Sequence, residues 1–211
     1  MIKAIFFDQG GVLVKEAGIE QISLLSEVSG YSFEQCKIIR KKYWKKLKLG
    51  LIDDEEYWHG TTKYNNLNKG MFRELNIPKE KQKFIRDKSI ACIKILDFSK
   101  KLLNQLSKKY VLGIISNNSK DWGENILKIN GLDKYFKIII FSHNVGLAKP
   151  NTKIYNLAFS KLNNTSPEEI VFIDDKEKSL IPARALGWNA ILFTSYDELI
   201  QELNAFSIEI T

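Results

Sequence analysis

The sequence is poor in thiol and imidazole groups. Its 211 residues hold 2 cysteines and 2 histidines. Cys36 and Cys92 stand far apart and match no zinc or redox spacing, which excludes a cysteine-built metal site or disulfide framework. Both are expected reduced and buried, in a cytoplasmic protein. His59 and His143 are solitary, and each suits a structural or exposed place better than a catalytic one. Long apolar runs are missing too. The longest, such as Ile138 to Phe141, span a few residues, whereas a membrane span needs roughly 20. The N-terminus shows no charged leader, apolar stretch and cleavage site in succession, so no signal peptide is expected and Met1 to Phe7 reads directly as a strand.

Acid is absent from one stretch. Lys37, Arg40, Lys41, Lys42, Lys45, Lys46 and Lys48 occur with no carboxylate between them and supply much of the net charge of +7. Cys36, Ile39, Tyr43 and Leu47 repeat at helical spacing in the same stretch, so the basic residues form the wet side of an amphipathic helix. The plain reading is a solvated lysine-rich surface; the functional one is a field that draws in anionic substrates. No nucleic-acid module is present, and the neighbouring aromatics fall on the apolar side, so no nucleic-acid partner is expected. Trp44, Trp58 and Trp122 are expected to pack rather than stack on a substrate.

With 44% hydrophobic residues, the chain can bury the core of one domain, or of a core domain carrying an insertion. Residues 2–7 read as a buried strand. From about 14 to 95 the pattern is helical. It predicts helices over 19–28 and 33–47, the latter capped by Ser32 and ended by Gly50. Another is capped by Asp53 or Asp54 and carries Tyr57, Trp58 and Tyr64; a polar break follows at 65–70, then a helix from Pro78 to about Ile90. No strand is expected there. Beyond it, strands over 110–115, 137–142, 170–173 and 190–193 alternate with helices over 97–108, 120–129, 152–161, 176–186 and 195–204. Such alternation implies right-handed crossovers and a mostly parallel sheet. The fold class is therefore α/β, with an all-helical segment inserted after the first strand and folded over its end. There is no internal repeat.

Polar residues stand where these strands and loops end: Asp8, Ser116-Asn117-Asn118, Lys149-Pro150 and Asp174-Asp175. In a parallel sheet the C-terminal strand ends converge on one edge, where open α/β sheets bind ligands. Asp8 could attack an electrophile, hold a metal or merely open a turn. The glycines after it, Gly10 and Gly11, admit close backbone approach. Several carboxylates gathered there would repel one another, and a divalent cation with one lysine would neutralise them. Oxygen-only ligands favour Mg²⁺ over zinc.

At these residues the chain resembles the haloacid dehalogenase-like superfamily, in its phosphatase-like branch. The matching segments are residues 7–13, 115–118, 146–150 with Ile154-Tyr155, and 172–175 with residues 182–187, all in the family's order. The resemblance implies a Rossmann-like core over 1–13 and 96–211 and a helical cap over 14–95. It implies Asp8 as nucleophile, forming a phosphoaspartate. Mg²⁺ would be held by Asp8, the Gly10 carbonyl and Asp175, with Asp174 acting directly or through water. Ser116 would hold a phosphoryl oxygen, Asn117 would orient substrate, and Lys149 would offset the charge on Asp8 and the phosphate. The implied partner is a small phosphorylated metabolite.

One position departs from that pattern. Most phosphatases of the superfamily carry a second Asp two residues after the nucleophile, and here that residue is Gly10. The backbone metal ligand survives, but the general acid does not. Glu16 or a residue of the cap is left to supply the proton. The departure also keeps two other readings open: a phosphate-binding module without turnover, and a metal-free 2-haloacid dehalogenase. Adjacent acids beside Asp8 argue against the second, since they would be costly without a cation.

Overall fold

The computed structural model describes residues 1–60 and 69–210. Five parallel strands form one sheet: β1 (Ala4–Phe7), β2 (Val111–Ser116), β3 (Ile138–Phe141), β4 (Ile170–Asp174) and β5 (Asn189–Leu192). Their order is β3-β2-β1-β4-β5. Phe7 pairs with Ile114 on one side and Ile173 on the other. The central strands β1 and β4 are buried at every residue, as expected for a parallel sheet covered on both faces.

Alternation along β1 sends Ile5 and Phe7 to one face and Ala4 and Phe6 to the other. The first face packs with Leu102, Leu103 and Leu106 of α6 (Ser99–Leu106), Leu127 of α7 (Asn125–Ile129) and Leu199 and Leu203 of α11 (Tyr196–Ala205). The second packs with Ile154, Tyr155 and Ala158 of α9 (Thr152–Phe159) and Leu180 and Ala183 of α10 (Glu177–Ala185). Helices thus cover both sides, which leaves the strand ends as the accessible edge.

Between β1 and β2 lie α1 (Gly18–Ser29), α2 (Phe33–Leu47), α3 (Asp54–His59), α4 (Gly70–Glu74) and α5 (Lys79–Ala91). They bury their own cluster, which includes Leu25, Cys36, Tyr43, Tyr57, Trp58, Phe72 and Ile85 and draws in Trp122. Ser32 and Asp53 each close a capping box, with Gln35 and Glu56, which satisfies the free N–H groups at the starts of α2 and α3. The two ends of this stretch meet where Val14 bridges Ile95. The carboxylate of Asp54 accepts from Ser119 Oγ at 2.6 Å and from the Asp121 N–H at 3.3 Å, which ties these helices to the loop after β2. Cys36 is buried as expected, but Cys92 is half-buried; neither is in a disulfide.

Some elements differ from the sequence expectations. The short helix α4 falls at the end of the expected polar break, because Met71 and Phe72 are buried against α3. Tyr64 and most of that break lie outside the described residues. The expected helix over 120–129 begins as a wider turn of π type over Lys120–Glu124 before α7. Ser142 opens a helical turn, α8 (Ser142–Val145), instead of closing β3. Among the described residues no helix is long and apolar enough to cross a membrane.

Gly113 in β2 tests the packing that sets strand spacing. A Cβ there would lie 2.3 Å from Cε1 of Phe6, whose ring stacks on Trp188 at 5.5 Å. Gly113→Ala is expected to cost about 1–3 kcal/mol through overpacking, seen as a lower urea midpoint at unchanged slope.

Candidate active site

The chain reverses direction across the sheet at β1. β2 and β3 extend to one side and β4 and β5 to the other. The crevice outside the carboxyl ends of β1, β2 and β4 is therefore the switch point where ligands bind in open α/β sheets. Asp8, Ser116 and Asp174 arrive at it from these three strands, each less than a tenth exposed.

Lys149, also buried, joins two of them. Its Nζ lies 2.5 Å from Asp174 Oδ2 and 3.1 Å from Asp8 Oδ2. Asp8 Oδ1 accepts the Gln9 N–H at 2.7 Å, and Asp174 Oδ1 accepts the Lys176 N–H at 2.8 Å. Asp175 differs: its Oδ1 is buried with no partner. One carboxylate oxygen from each of Asp8, Asp174 and Asp175 lies within 4.8 Å of the others. The backbone makes room for this at Gly11, which has φ +81° and where a Cβ would sit 2.5 Å from Asp175 Oδ2. An oxygen-only donor set with one orphaned buried oxygen fits a hard divalent cation such as Mg²⁺.

Burial raises the Asp174 carboxyl to about 6, the Asp8 charge adds to the rise and Lys149 opposes it. Burial likewise pushes Asp175 up, against the pull of Lys176. Both acids are held above their ordinary range, chiefly because burial disfavours their charged forms.

Asn117 lines the cavity, but its amide works on the lysine. Nδ2 donates to the Lys149 carbonyl at 2.9 Å, and Oδ1 accepts the Lys149 N–H at 2.8 Å. Asn118 donates to Gln9 Oε1 at 3.0 Å and to the Trp122 carbonyl at 3.1 Å. His143 Nδ1 pairs with the Asn118 carbonyl at 2.8 Å, a structural role, whereas His59 is exposed.

A cavity of about 280 Å³ opens over Asp8, Gly10, Ser116, Asn117 and Lys149. Trp58 is fully buried in the helical cluster as expected, while Trp44 and Trp122 both pack there and line the cavity. Glu16 stands over Gly10: a Cβ on Gly10 would lie 3.2 Å from Glu16 Cγ and 3.3 Å from its Oε1. Glu16 in turn accepts from Lys176 at 2.7 Å. Arg40 and Lys48, expected on a solvated lysine-rich face or as part of a field that draws in anionic substrates, both line the cavity. Arg40, Trp44 and Lys48 recur every four residues and so share one stripe that runs along α2 to its C-cap, a signal available in the spacing.

A change at Lys149 would expose this balance. Lys149→Met leaves Asp8 and Asp174 buried without a countercharge and is expected to cost on the order of 3–5 kcal/mol at about pH 8. The native Asp174 is already raised from 3.8 to about 6, and loss of the lysine raises it further. The folded variant therefore holds more protons than the unfolded chain in this range, and its deficit should shrink as pH falls from about 8 toward 6 and level off below that. Urea unfolding at about pH 8 and pH 5 measures the difference.

The chain matches the family model for haloacid dehalogenase-like hydrolases over residues 23–193. It is 27% identical over 199 residues to the pyrimidine 5'-nucleotidase YjjG of Escherichia coli, covering 91% of this chain and 84% of that protein. It is 26% identical over 201 residues to a glyceraldehyde 3-phosphate phosphatase of Methanothermobacter thermautotrophicus, covering 92% and 87%. A further curated relative, 34% identical over 102 residues, is spanned over 43% of its own length. Among solved structures, a HAD family enzyme of Bacteroides thetaiotaomicron in complex with magnesium and inorganic phosphate has a TM-score of 0.75 at 21% identity, covering 94% of this chain and 99% of that one. That likeness speaks for the fold. With a family match spanning most of its length and carboxylates gathered at the ends of a parallel sheet, the chain belongs to the haloacid dehalogenase-like hydrolases.

Proposed function

We propose that the chain is a magnesium-dependent phosphatase acting on a small phosphorylated metabolite through a phosphoaspartate on Asp8. The observation that carries this is the meeting of Asp8, Asp174 and Asp175 around one point with an unpartnered Asp175 oxygen. A metal-free dehalogenation would gain nothing from that grouping. The two phosphatase relatives and the magnesium and phosphate bound to the structural neighbour support the same reading. Residues 14–95 act as a cap over a core of 1–13 and 96–211, so that cap closure excludes water from the site.

Asp8, the Gly10 carbonyl and Asp175 would hold magnesium, with Asp174 beside them directly or through water. When bound, the ion supplies positive charge opposite the phosphoryl oxygens. The chain's own residues do the rest. A carboxylate oxygen of Asp8 bonds to phosphorus as the ester oxygen departs. Water then attacks that phosphorus, freeing inorganic phosphate and restoring Asp8. Lys149 offsets the charge on Asp8 and on the phosphoryl group. The Ser116 hydroxyl holds a phosphoryl oxygen. Asn117 acts chiefly by fixing Lys149, through the two bonds to its backbone.

The departing oxygen needs a proton unless it is a good leaving group. Gly10 offers no acid, and Glu16 is the carboxylate that stands in its place. General acid help is typically worth ~10²–10⁴ in rate, so alkyl phosphates should turn over slowly and aryl phosphates less so. Glu16→Gln is expected to slow the alkyl substrates more than the aryl ones, and Gly10→Asp to speed the alkyl ones; equal effects on both would remove Glu16 from the reaction.

The central test is metal-dependent release of phosphate from an aryl phosphate, abolished by chelator and by Asp8→Asn. Tight phosphate binding without any turnover would replace the phosphatase with a binding module. A second readout needs no turnover. A raised Asp174 contributes stability below pH 4 that is lost as pH climbs through about 6, and a cation relieves that loss. Magnesium should raise the melting temperature more at about pH 7.5 than at pH 5.

A further inference from the structure

The cavity over Asp8 is basic well beyond what its catalytic end requires. Besides Lys149, it is lined by Arg40 of α2, by Lys48 at the C-cap of that helix, by Lys176 and Lys178 at the start of α10, and by Lys15, which pairs with Glu20 at 2.8 Å. Lys176 is paired, with Glu16 at 2.7 Å and Asp175 at 3.4 Å. The other three have no carboxylate within ion-pair distance among the described residues. Arg40 donates through Nε to Gln21 Oε1 and lays its guanidinium over Trp44, 5.0 Å from the ring centroid. Its two Nη atoms lie beside Gly18, where a Cβ would stand 3.5 Å from Nη2. A bulkier residue at that position would crowd them.

Lys48 is the most telling of the group. It is half-buried, and burial together with the charges of Lys178, Lys45 and Lys176 pushes its ammonium below the ordinary lysine range. A solvated helix face would let these side chains spread apart into water. Instead, cations from two separate elements converge on one small cavity and repel one another there. Self-repulsion of this kind is relieved by a bound anion. The phosphoryl place proposed above, at Asp8, Ser116 and Lys149, draws on none of Arg40, Lys48 and Lys178.

We infer that Arg40, Lys48 and Lys178 form a second anion subsite, and that the substrate is a small phosphate ester carrying another anionic group, a carboxylate or second phosphate, at its far end. The inference rests on the phosphatase reading in that one end of the ligand is a phosphoryl group at Asp8. A cavity of about 280 Å³ sits at the small end of the range for ligand sites, which suits a short carbon chain between the two charged ends. Trp44, lying on the same stripe of α2 as Arg40 and Lys48, supplies the apolar wall along it.

The test uses ligands that bind without turnover. Alkyl phosphonates of two to five carbons are compared, by calorimetry on the wild-type chain with magnesium, with phosphonates of the same length ending in a carboxylate. At least one length is expected to gain about tenfold in affinity from the carboxylate, as one charge-assisted contact would give, and the gain should fall as salt rises. In the Lys48→Gln/Lys178→Gln variant the ratio between paired ligands should approach one. The inference is overturned if no length gains, whether both ligands bind alike or neither binds, or if the gain survives in the variant. Failure of the phosphatase reading shows elsewhere, as absence of magnesium-dependent aryl phosphate hydrolysis, and leaves the phosphonate comparison standing.

Discussion

One buried lysine holds the carboxylate cluster together. Lys149 reaches Asp174 and Asp8 from a loop, not from a strand, and it is as deeply enclosed as the acids it serves. Charge buried without compensation is among the costliest arrangements a protein can adopt. The ends of β1 and β4 can therefore deliver acids to one point only because the loop after α8 returns a cation to it. Three carboxylates meet a single buried lysine there, so the compensation is partial. The remaining imbalance is what makes the place receptive to further positive charge.

Much of this was legible in the chain. β1 and β4 announce themselves because strands buried on both faces must be apolar throughout, and a carboxylate at the end of such a run has few structural uses. Asp8, Ser116 and Asp174 were found on that logic, and the alternation of strands and helices fixed the sheet. What escaped was of two kinds. Short elements such as α4 and the turn opened by Ser142 hold too few residues for a period to show; they form because Met71, Phe72 and Phe141 are buried by neighbours distant in sequence. Pairings across the fold left no trace either. No spacing reveals that the Asn117 amide grips the Lys149 backbone, or that Glu16 fills the space over Gly10. Arg40 and Lys48 were visible as charges, but helical phase alone could not say that their stripe of α2 faces the cavity.

The two ends of the cavity solve opposite electrostatic problems. At the strand ends, acids outnumber their lysine and are packed away from water. At the stripe of α2 and the start of α10, lysines and an arginine gather with little acid to meet them; of the cations lining the cavity there, Lys176 is tied down by Glu16 and Asp175 and Lys15 by Glu20. A gradient from negative to positive runs along one small space.

The grip of Asn117 on Lys149 has a consequence for the lifetime of the molecule. The amide donates to one backbone group of Lys149 and accepts from another, so the site depends on its having two unlike ends. Slow hydrolysis of that amide to a carboxylate, the ordinary chemical ageing of asparagine, would set an oxygen against the Lys149 carbonyl across 2.9 Å. Two acceptors would then face each other where a donor had been. The loop that carries the lysine would be pushed from its acids, and a single worn atom could retire the whole site while the sheet beneath it stayed intact.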